Sequence, residues 1–112
     1  PETDARVDYP DFGEKLAKAM KPFPDSRGVL VCGSGIGISI AANRFPWIRA
    51  ALCHDVTTAV LSRQHNDANV IAFGERLIGE TTASDALMAF LETKFEGGRH
   101  RGRVQKLRDL NA

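Results

Sequence analysis

The sequence predicts an α/β fold in which right-handed crossovers join the strands of a parallel sheet. Two observations predict it. Short apolar runs rich in β-branched residues alternate along the whole chain with longer amphipathic segments. The first run, residues 28–32 (Gly-Val-Leu-Val-Cys), is continuously apolar, which is typical of a strand buried on both faces. At 112 residues the chain is long enough for one domain and too short for two.

The elements follow from hydrophobic spacing and from breaker residues, taken in chain order. After a polar loop over residues 1–10, apolar residues at helical spacing predict a helix over Asp11–Met20, with Asp11 as its N-cap. Beyond the strand at 28–32, the predicted elements are a helix over 38–43, a strand over 48–54, a helix over 56–64, a strand over 70–73 ending at Gly74, an amphipathic helix over 81–95, and a last helix from about Arg99 to Asp109.

Composition excludes several classes of protein. The net charge of +1 leaves no basic excess for binding nucleic acid. The two cysteines form no CxxC pair, so we expect a reducing, cytoplasmic setting. No apolar stretch reaches the length of a membrane span, and no signal peptide opens the chain. Because the chain begins at Pro1 without a methionine or an apolar segment, we expect that a segment precedes it.

The segment Gly33-Ser34-Gly35-Ile36-Gly37 follows the first predicted strand, at the edge where open α/β sheets bind ligands. Glycines at this spacing allow a sharp turn whose N–H groups can hold a phosphate or an oxyanion, although a plain tight turn would look the same. The spacing is not the dinucleotide fingerprint. Cys32 is either a thiolate stabilised by these groups or a structural cysteine. For Cys53, among apolar neighbours, we predict a core position.

Two further clusters carry ionisable side chains. His65 lies between a predicted helix and strand, where it is either a proton shuttle or a solvated loop residue, and the same alternatives apply to His54. Arg99 and Arg103 fall one turn apart on one helix face. Paired guanidinium groups suit a phosphate dianion, but a solvated basic turn is the alternative.

Five stretches in these regions, in order along nearly the whole chain, resemble the ribose-5-phosphate isomerase type B family, which includes galactose-6-phosphate isomerase subunits. They are Asp8-Tyr9-Pro10, Cys32 to Asn43, Leu61-Ser62-Arg63-Gln64-His65-Asn66-Asp67, Asn69 to Gly74, and Glu96-Gly97-Gly98-Arg99-His100. The resemblance implies a three-layer α/β/α Rossmann-like fold. It also implies an aldose–ketose isomerase of the pentose phosphate pathway that converts D-ribose 5-phosphate to D-ribulose 5-phosphate without a metal or other cofactor.

The resemblance also assigns site residues. Cys32 resembles the base that moves the proton, Ser34 and the glycine turn the anion hole, and His65 the group that opens the sugar ring. The substrate-binding positions that it implies are Tyr9, Gly33, Gly35, Ile36, Gly37, Asn66, Arg76, Arg99, His100 and Arg103, with Arg99 and Arg103 as the phosphate clamp.

The resemblance further implies a dimer or tetramer with shared active sites. We expect a single domain over residues 1–112, whose C-terminal helix (99–110) packs on a partner subunit. The family's opening strand, which carries an Asp-His pair, has no counterpart here, so we expect the sheet to be incomplete at the N-terminal side. A non-catalytic phosphosugar-binding module, or an isomerase of a six-carbon sugar phosphate such as galactose or allose 6-phosphate, remains an alternative.

Overall fold

The computed structural model of the chain describes residues 8–110. Its elements, in chain order, are α1 (Tyr9–Met20), β1 (Gly28–Cys32), α2 (Ile36–Ala42), β2 (Ala50–Leu52), α3 (Val56–Asn66), β3 (Val70–Gly74), α4 (Glu80–Glu92) and α5 (His100–Asp109). The predicted alternation of helix and strand is therefore confirmed.

The sheet is parallel, with strand order β1-β3-β2. All five residues of the central strand β3 are buried. Its side chains alternate between two clusters, because successive side chains of a strand point to opposite faces. Val70 and Ala72 belong to one cluster, and Ile71 and Phe73 to the other.

Two apolar cores lie on the two faces of this sheet, which gives the three-layer α/β/α arrangement that was predicted. The first core joins α1 and α2 to the sheet, and its buried members are Ala17, Met20, Leu30, Ile38, Ala42, Ile48, Val70 and Ala72. The second joins α3 and α4 to the opposite face, and its buried members are Cys53, Ala59, Ala68, Ile71, Phe73, Ala86 and Phe90.

Most predicted boundaries differ from the observed ones by one or two residues, as at both ends of α2 and at the end of α3, and the differences in α1, β2 and α4 are the most informative. Helix α1 begins at Tyr9, two residues before the predicted Asp11, because Pro10 in the first turn fixes a helical φ instead of breaking the helix. Residues 1–7 of the predicted loop lie outside the described residues. Strand β2 is shorter than the predicted strand over 48–54. The Arg49 N–H donates a hydrogen bond to Asn69 Oδ1 and not to a neighbouring strand, so β2 begins only at Ala50. Helix α4 ends at Glu92 and not at residue 95.

Strand β1 corrects a further expectation. Val29 and Val31 are 41% and 54% exposed, so β1 is buried on one face and not on both. Within residues 8–110, β1 is an edge strand, and the described elements leave these two valines about half exposed. The continuous apolar run therefore predicted the strand correctly, but it did not reveal that one face of the strand is partly exposed.

The described helices are also relevant to membrane association. None of those within residues 8–110 combines the length and the apolar character that crossing a bilayer requires.

Candidate active site

The turn over residues 33–37, called the glycine turn below, lies where β1 ends. Gly35 adopts a left-handed φ of 77°, and a Cβ there would come within 2.6 Å of Leu52 Cδ1 and 2.9 Å of the Phe73 carbonyl carbon. A Cβ on Gly74 would overlap the backbone of Ser34. Both glycines are required for the turn to lie directly on the end of the central strand.

Cys32 is the last residue of β1 and pairs with Gly74 in the sheet. It is a free cysteine, half-buried against the first apolar core. Cys53, by contrast, is 1% exposed in the second core, which confirms its predicted core position. Burial raises the pKa of the Cys53 thiol, so that group stays protonated at neutral pH. The structure therefore leaves Cys32 as the cysteine that a ligand at this edge can approach.

Polar groups surround the glycine turn on several sides. The Ile36 N–H donates a hydrogen bond to Ser34 Oγ over 3.2 Å. The ring of Tyr9 lies so close to Gly37 that a Cβ there would come within 2.6 Å of its Cε1. These contacts bring Tyr9 from α1 and Ser34 from the turn to the same edge of the sheet as Cys32.

Arg76 reaches the same edge from the loop after β3. Its N–H donates to the Gly33 carbonyl over 3.0 Å, and the Glu75 N–H donates to the Cys32 carbonyl over 2.9 Å. The guanidinium of Arg76 covers Gly33, where a Cβ would meet its Nε at 3.3 Å. A cation therefore lies beside the glycine turn that follows Cys32, an arrangement suited to an anionic ligand.

The second predicted cluster is a stacked pair of imidazoles, His65 and His100, called the histidine pair below. Their ring centroids lie 4.4 Å apart, and their planes differ by 16°. His65 is next to last in α3, and His100 is the first residue of α5. The loop between α4 and α5 is held against α3, since the Glu96 N–H donates to the Gln64 carbonyl over 3.1 Å.

His100 is only 6% exposed, and its Nε2 has no hydrogen-bond partner among the described residues. Burial lowers the pKa of His100, and the neighbouring His65 and Arg99 lower it further, whereas Glu96 raises it. Glu96 Oε1 lies 3.6 Å from Nε2, which is longer than a hydrogen bond. The imidazole of His100 is therefore neutral at neutral pH.

Arg99 and Arg103 are exposed at the start of α5, one helical turn apart and next to the histidine pair. Asn66 is exposed beside His65. It lines a cavity of about 430 Å³ between α5 and the β2 side of the sheet, together with Arg49 and Leu107.

The site residues thus form two groups, at opposite edges of the sheet. Helix α3 starts after β2, at the carboxyl edge of the strands, and returns to the amino edge, where β3 begins. Cys32 is therefore at one edge and His65 at the other, separated by roughly 15 Å, the length of a five-residue strand or an eleven-residue helix. Within one chain the structure brings together the members of each group but does not join the two groups.

Arg63 is a residue whose importance the sequence did not reveal. It is 5% exposed, and its guanidinium donates to the Thr93 carbonyl (3.0 Å), the Ala68 carbonyl (2.7 Å) and Asp67 Oδ1 (2.9 Å). It ties the end of α3 to the end of α4. The spacing of Arg63 and Asp67, four residues apart, was the signal that could have indicated it.

His54, for which the sequence left a catalytic and a solvated role open, is half-buried after β2. Its Nε2 is buried without a hydrogen-bond partner in the described part of the chain, so the fully solvated alternative is wrong.

Comparison with known proteins gives consistent matches. Residues 1–107 match the sequence family described as Ribose/Galactose Isomerase. Ribose-5-phosphate isomerase B of Escherichia coli K12 is 47% identical over 102 residues, 91% of this chain and 68% of that protein. D-erythrulose-4-phosphate isomerase of Pectobacterium atrosepticum is 46% identical over 99 residues, 88% of this chain and 65% of that protein. The structure of type B ribose 5-phosphate isomerase from Trypanosoma cruzi has a TM-score of 0.93 at 48% identity, and the match covers 99% of this chain and 75% of that one.

Proposed function

Because the chain belongs to the ribose/galactose isomerase family, we propose that it interconverts D-ribose 5-phosphate and D-ribulose 5-phosphate. The observation that carries the proposal is the carboxyl edge of β1, where the half-buried free cysteine Cys32 directly precedes the glycine turn and the Arg76 guanidinium covers Gly33 of that turn. This edge offers a base and a set of anion-stabilising groups at one place, which is what the isomerisation of an aldose phosphate needs.

The chemistry at this edge is a proton transfer between neighbouring carbons. The Cys32 thiolate takes the proton from C2 of the open-chain aldose, and the electron pair of the C–H bond moves to give an enediolate. Backbone N–H groups of the glycine turn, with Ser34, stabilise the oxygen on which negative charge develops. A proton passes from the C2 hydroxyl to the C1 oxygen, so that the negative charge lies on the C2 oxygen. That oxygen becomes the carbonyl as the proton on sulfur is delivered to C1, which gives the ketose and restores the thiolate.

Opening of the furanose ring precedes this step and needs a group that exchanges a proton with the ring oxygen. We assign it to His65, because imidazole is the side chain most often used for general acid–base catalysis. We assign Asn66 and Tyr9 to binding the hydroxyl groups of the sugar.

The phosphate supplies binding energy remote from the reacting carbons. Arg99 and Arg103 are exposed one turn apart, so their guanidinium groups can bind one phosphate together. We assign His100 and Arg76 as additional phosphate-binding residues. Such remote binding positions C1 and C2 against the base, because it fixes the far end of the substrate.

The proposal requires two copies of the chain. Cys32 and His65 lie at opposite edges of one sheet, so a single chain cannot bring both to one sugar. We assign Cys32, Ser34, Tyr9 and Arg76 to one subunit, and the histidine pair with the arginine clamp to its partner, in a homodimer or homotetramer. The exposure of α5 supports a partner: of its residues only His100 is buried, and both Leu107 within it and Leu110 directly after it are exposed. Each subunit is then a single domain over residues 1–112, with its C-terminal helix on the partner.

The cytoplasm is the compartment that fits this mechanism. The thiol of Cys32 has to stay free to act as a base, and a reducing compartment keeps it so.

The test is to incubate the purified chain with ribose 5-phosphate and to follow ketose formation. Turnover supports the isomerase. Tight binding without turnover would instead select the non-catalytic phosphosugar-binding module. D-Erythrulose 4-phosphate belongs in the same assay, because one relative at 46% identity is a D-erythrulose-4-phosphate isomerase. Allose and galactose 6-phosphates belong in it as tests of the six-carbon alternative. The highest kcat/KM among them identifies the preferred sugar.

A further inference from the structure

We infer that His65, Glu96 and His100 form a binding site for Zn²⁺ or a similar divalent transition-metal ion, and that its occupation inhibits the enzyme. One donor atom from each of the three residues lies within 4.8 Å of the others. Two imidazole nitrogens and one carboxylate oxygen are a donor set that suits such ions. The inhibitory half of this inference rests on the proposed function, whereas metal binding stands independently of it.

The spacing of the donor atoms is closer to that of metal ligands than to that of a hydrogen bond. Glu96 Oε1 and His100 Nε2 lie 3.6 Å apart. Two ligands of a tetrahedral zinc ion, each about 2.0–2.1 Å from the metal, are roughly 3.3 Å apart. A small movement of the partly exposed Glu96 side chain therefore brings the pair to coordination distance.

His100 Nε2 provides the second observation. This atom is buried in a side chain that is 6% exposed, and it has no hydrogen-bond partner among residues 8–110. Buried polar atoms in folded proteins nearly always have a partner. A metal ion between His100 and Glu96 would supply the missing partner.

The chain itself holds the three residues together. The Glu96 N–H donates to the Gln64 carbonyl over 3.1 Å, which fixes Glu96 beside the end of α3. Gly97 and Gly98 have left-handed φ values of 71° and 53°, so the backbone turns sharply, and the His100 N–H donates to the Gly97 carbonyl over 3.0 Å. Because these hydrogen bonds hold the backbone of the segment, metal binding costs little additional conformational entropy.

Metal binding requires His65 to move. The two imidazole planes differ by only 16°, so their lone pairs run side by side and do not converge. His65, half-buried near the end of α3, would have to turn its nitrogen towards the ion. A coordinated nitrogen cannot exchange a proton with the sugar ring, so the ion blocks the ring-opening step.

The nearby charges limit the affinity without preventing binding. Arg99 and Arg103 repel a dication, but both are exposed and therefore screened by solvent and salt. The Glu96 carboxylate lies closer and compensates one of the two metal charges. The fourth coordination position is left for water or an anion.

The first experiment measures binding without using activity. Co²⁺ is titrated into the chain, the visible absorption band of tetrahedral Co²⁺ is followed, and Zn²⁺ is then added to displace it. We expect a band that Zn²⁺ removes. Glu96→Gln should lower the affinity at least about tenfold, since even losing a residue that only supports a metal ligand costs this much. Glu92→Gln, the same change at an exposed residue outside the cluster, should bind as the wild type does.

Three results of this titration would overturn the site. They are the absence of a Zn²⁺-displaceable band in the wild type, an unchanged affinity in Glu96→Gln, and a near-ultraviolet cobalt–thiolate band, which would assign the metal to a cysteine.

The second experiment measures inhibition. Isomerisation of ribose 5-phosphate is followed with increasing Zn²⁺ and after addition of a chelator. The wild type and Glu92→Gln should lose activity and recover it on chelation, and Glu96→Gln should need at least about tenfold more Zn²⁺. Full activity of the wild type with the metal site saturated would overturn the inhibition. A chain that lacks isomerase activity before any metal is added would overturn the proposed function and the inhibition together, while the cobalt result would still decide whether the metal site exists.

Discussion

The two cysteines of the chain show how much the surroundings of one residue decide. Cys53 is enclosed in the second core, and burial raises the pKa of its thiol. Cys32 is half-buried at the end of a strand, next to a turn with exposed backbone and an arginine side chain. The same thiol group is thus a core side chain at one position and a candidate base at the other.

Cys32→Ala should lower kcat by more than about 100-fold, because it removes the proposed general base and leaves the proposed phosphate-binding residues in place. Steady-state kinetics with ribose 5-phosphate gives kcat, and calorimetric titration gives substrate affinity, which should stay close to that of the wild type. Cys53→Ala is the matched control and should retain kcat. Near-normal turnover of Cys32→Ala would remove this residue from the role of base.

Arg99→Ala should mainly raise KM, since in the proposed clamp this guanidinium binds the phosphate and not the reacting carbons. The increase should be larger at low ionic strength, where charge interactions are less screened. Lys106→Ala removes a positive charge elsewhere on α5 and should leave KM nearly unchanged. A KM of Arg99→Ala equal to that of the wild type at low salt would contradict the clamp.

Among the elements, α3 matters for the proposed active site because its last turn carries His65. Its first turn is capped by Asp55, whose Oδ1 accepts the Thr58 N–H over 2.7 Å. Its end is fixed by Arg63 and by Asp67, which adopts a left-handed φ of 48°. The orientation of His65 therefore depends on contacts at both ends of the helix.

The cap of α3 predicts a specific pH dependence of stability. Hydrogen bonds from the Thr58 N–H and hydroxyl lower the pKa of Asp55. A carboxyl group whose pKa is lower in the folded than in the unfolded chain stabilises the fold above its unfolded pKa of about 3.9 and loses this effect as the pH falls through the folded value.

Asp55→Asn should therefore melt at a lower temperature than the wild type at pH 7, and the difference should shrink as the pH falls below about 4. Thermal unfolding followed by circular dichroism at several pH values measures it. Asp85→Asn, the same change at an exposed residue within α4, should not show this pattern. A difference between Asp55→Asn and the wild type that is independent of pH would contradict the role of the charged cap.

Arg63→Ala should lower the free energy of unfolding by about 3 kcal/mol, because it removes one partner of a buried charged network and leaves two carbonyl groups without their donor. Denaturant unfolding gives this free energy. Arg44→Ala, at an exposed arginine, should change it by no more than about 0.5 kcal/mol. A loss for Arg63→Ala as small as that of Arg44→Ala would show that the network contributes little.

For the whole molecule, the separation of Cys32 and His65 at opposite edges of the sheet has a direct experimental consequence. If each active site takes Cys32 from one subunit and His65 from the other, homodimers of Cys32→Ala and of His65→Ala both lack a complete site. A mixed dimer has one site with both defects and one site with neither.

Mixing and refolding equal amounts of Cys32→Ala and His65→Ala should restore about a quarter of wild-type activity, since half of the symmetric dimers are mixed and each has one intact site. Size-exclusion chromatography with light scattering confirms that dimers form. Activity of the mixture no higher than that of the separate variants would show that both residues serve the same site within one subunit.

The sequence by itself determined the features that depend on neighbours in the chain. Apolar runs gave the position of β1 to the residue, and that of β3 apart from Gly74, which closes it. The glycines at 33, 35 and 37 predicted the turn after β1. The family membership was also evident from local stretches, because they recur in order along nearly the whole chain. Short-range spacing is enough for these features, since they depend on backbone preferences and on hydrophobic alternation.

Only the tertiary structure decided where these stretches lie relative to one another. It put the histidine pair at the edge of the sheet opposite to Cys32, because α3 runs back along the strands before β3 begins. It buried Arg63 between two helix ends and left Val29 and Val31 of an apolar strand exposed. These outcomes depend on which elements cover which faces. That depends on contacts between residues far apart in the chain, which no local pattern contains.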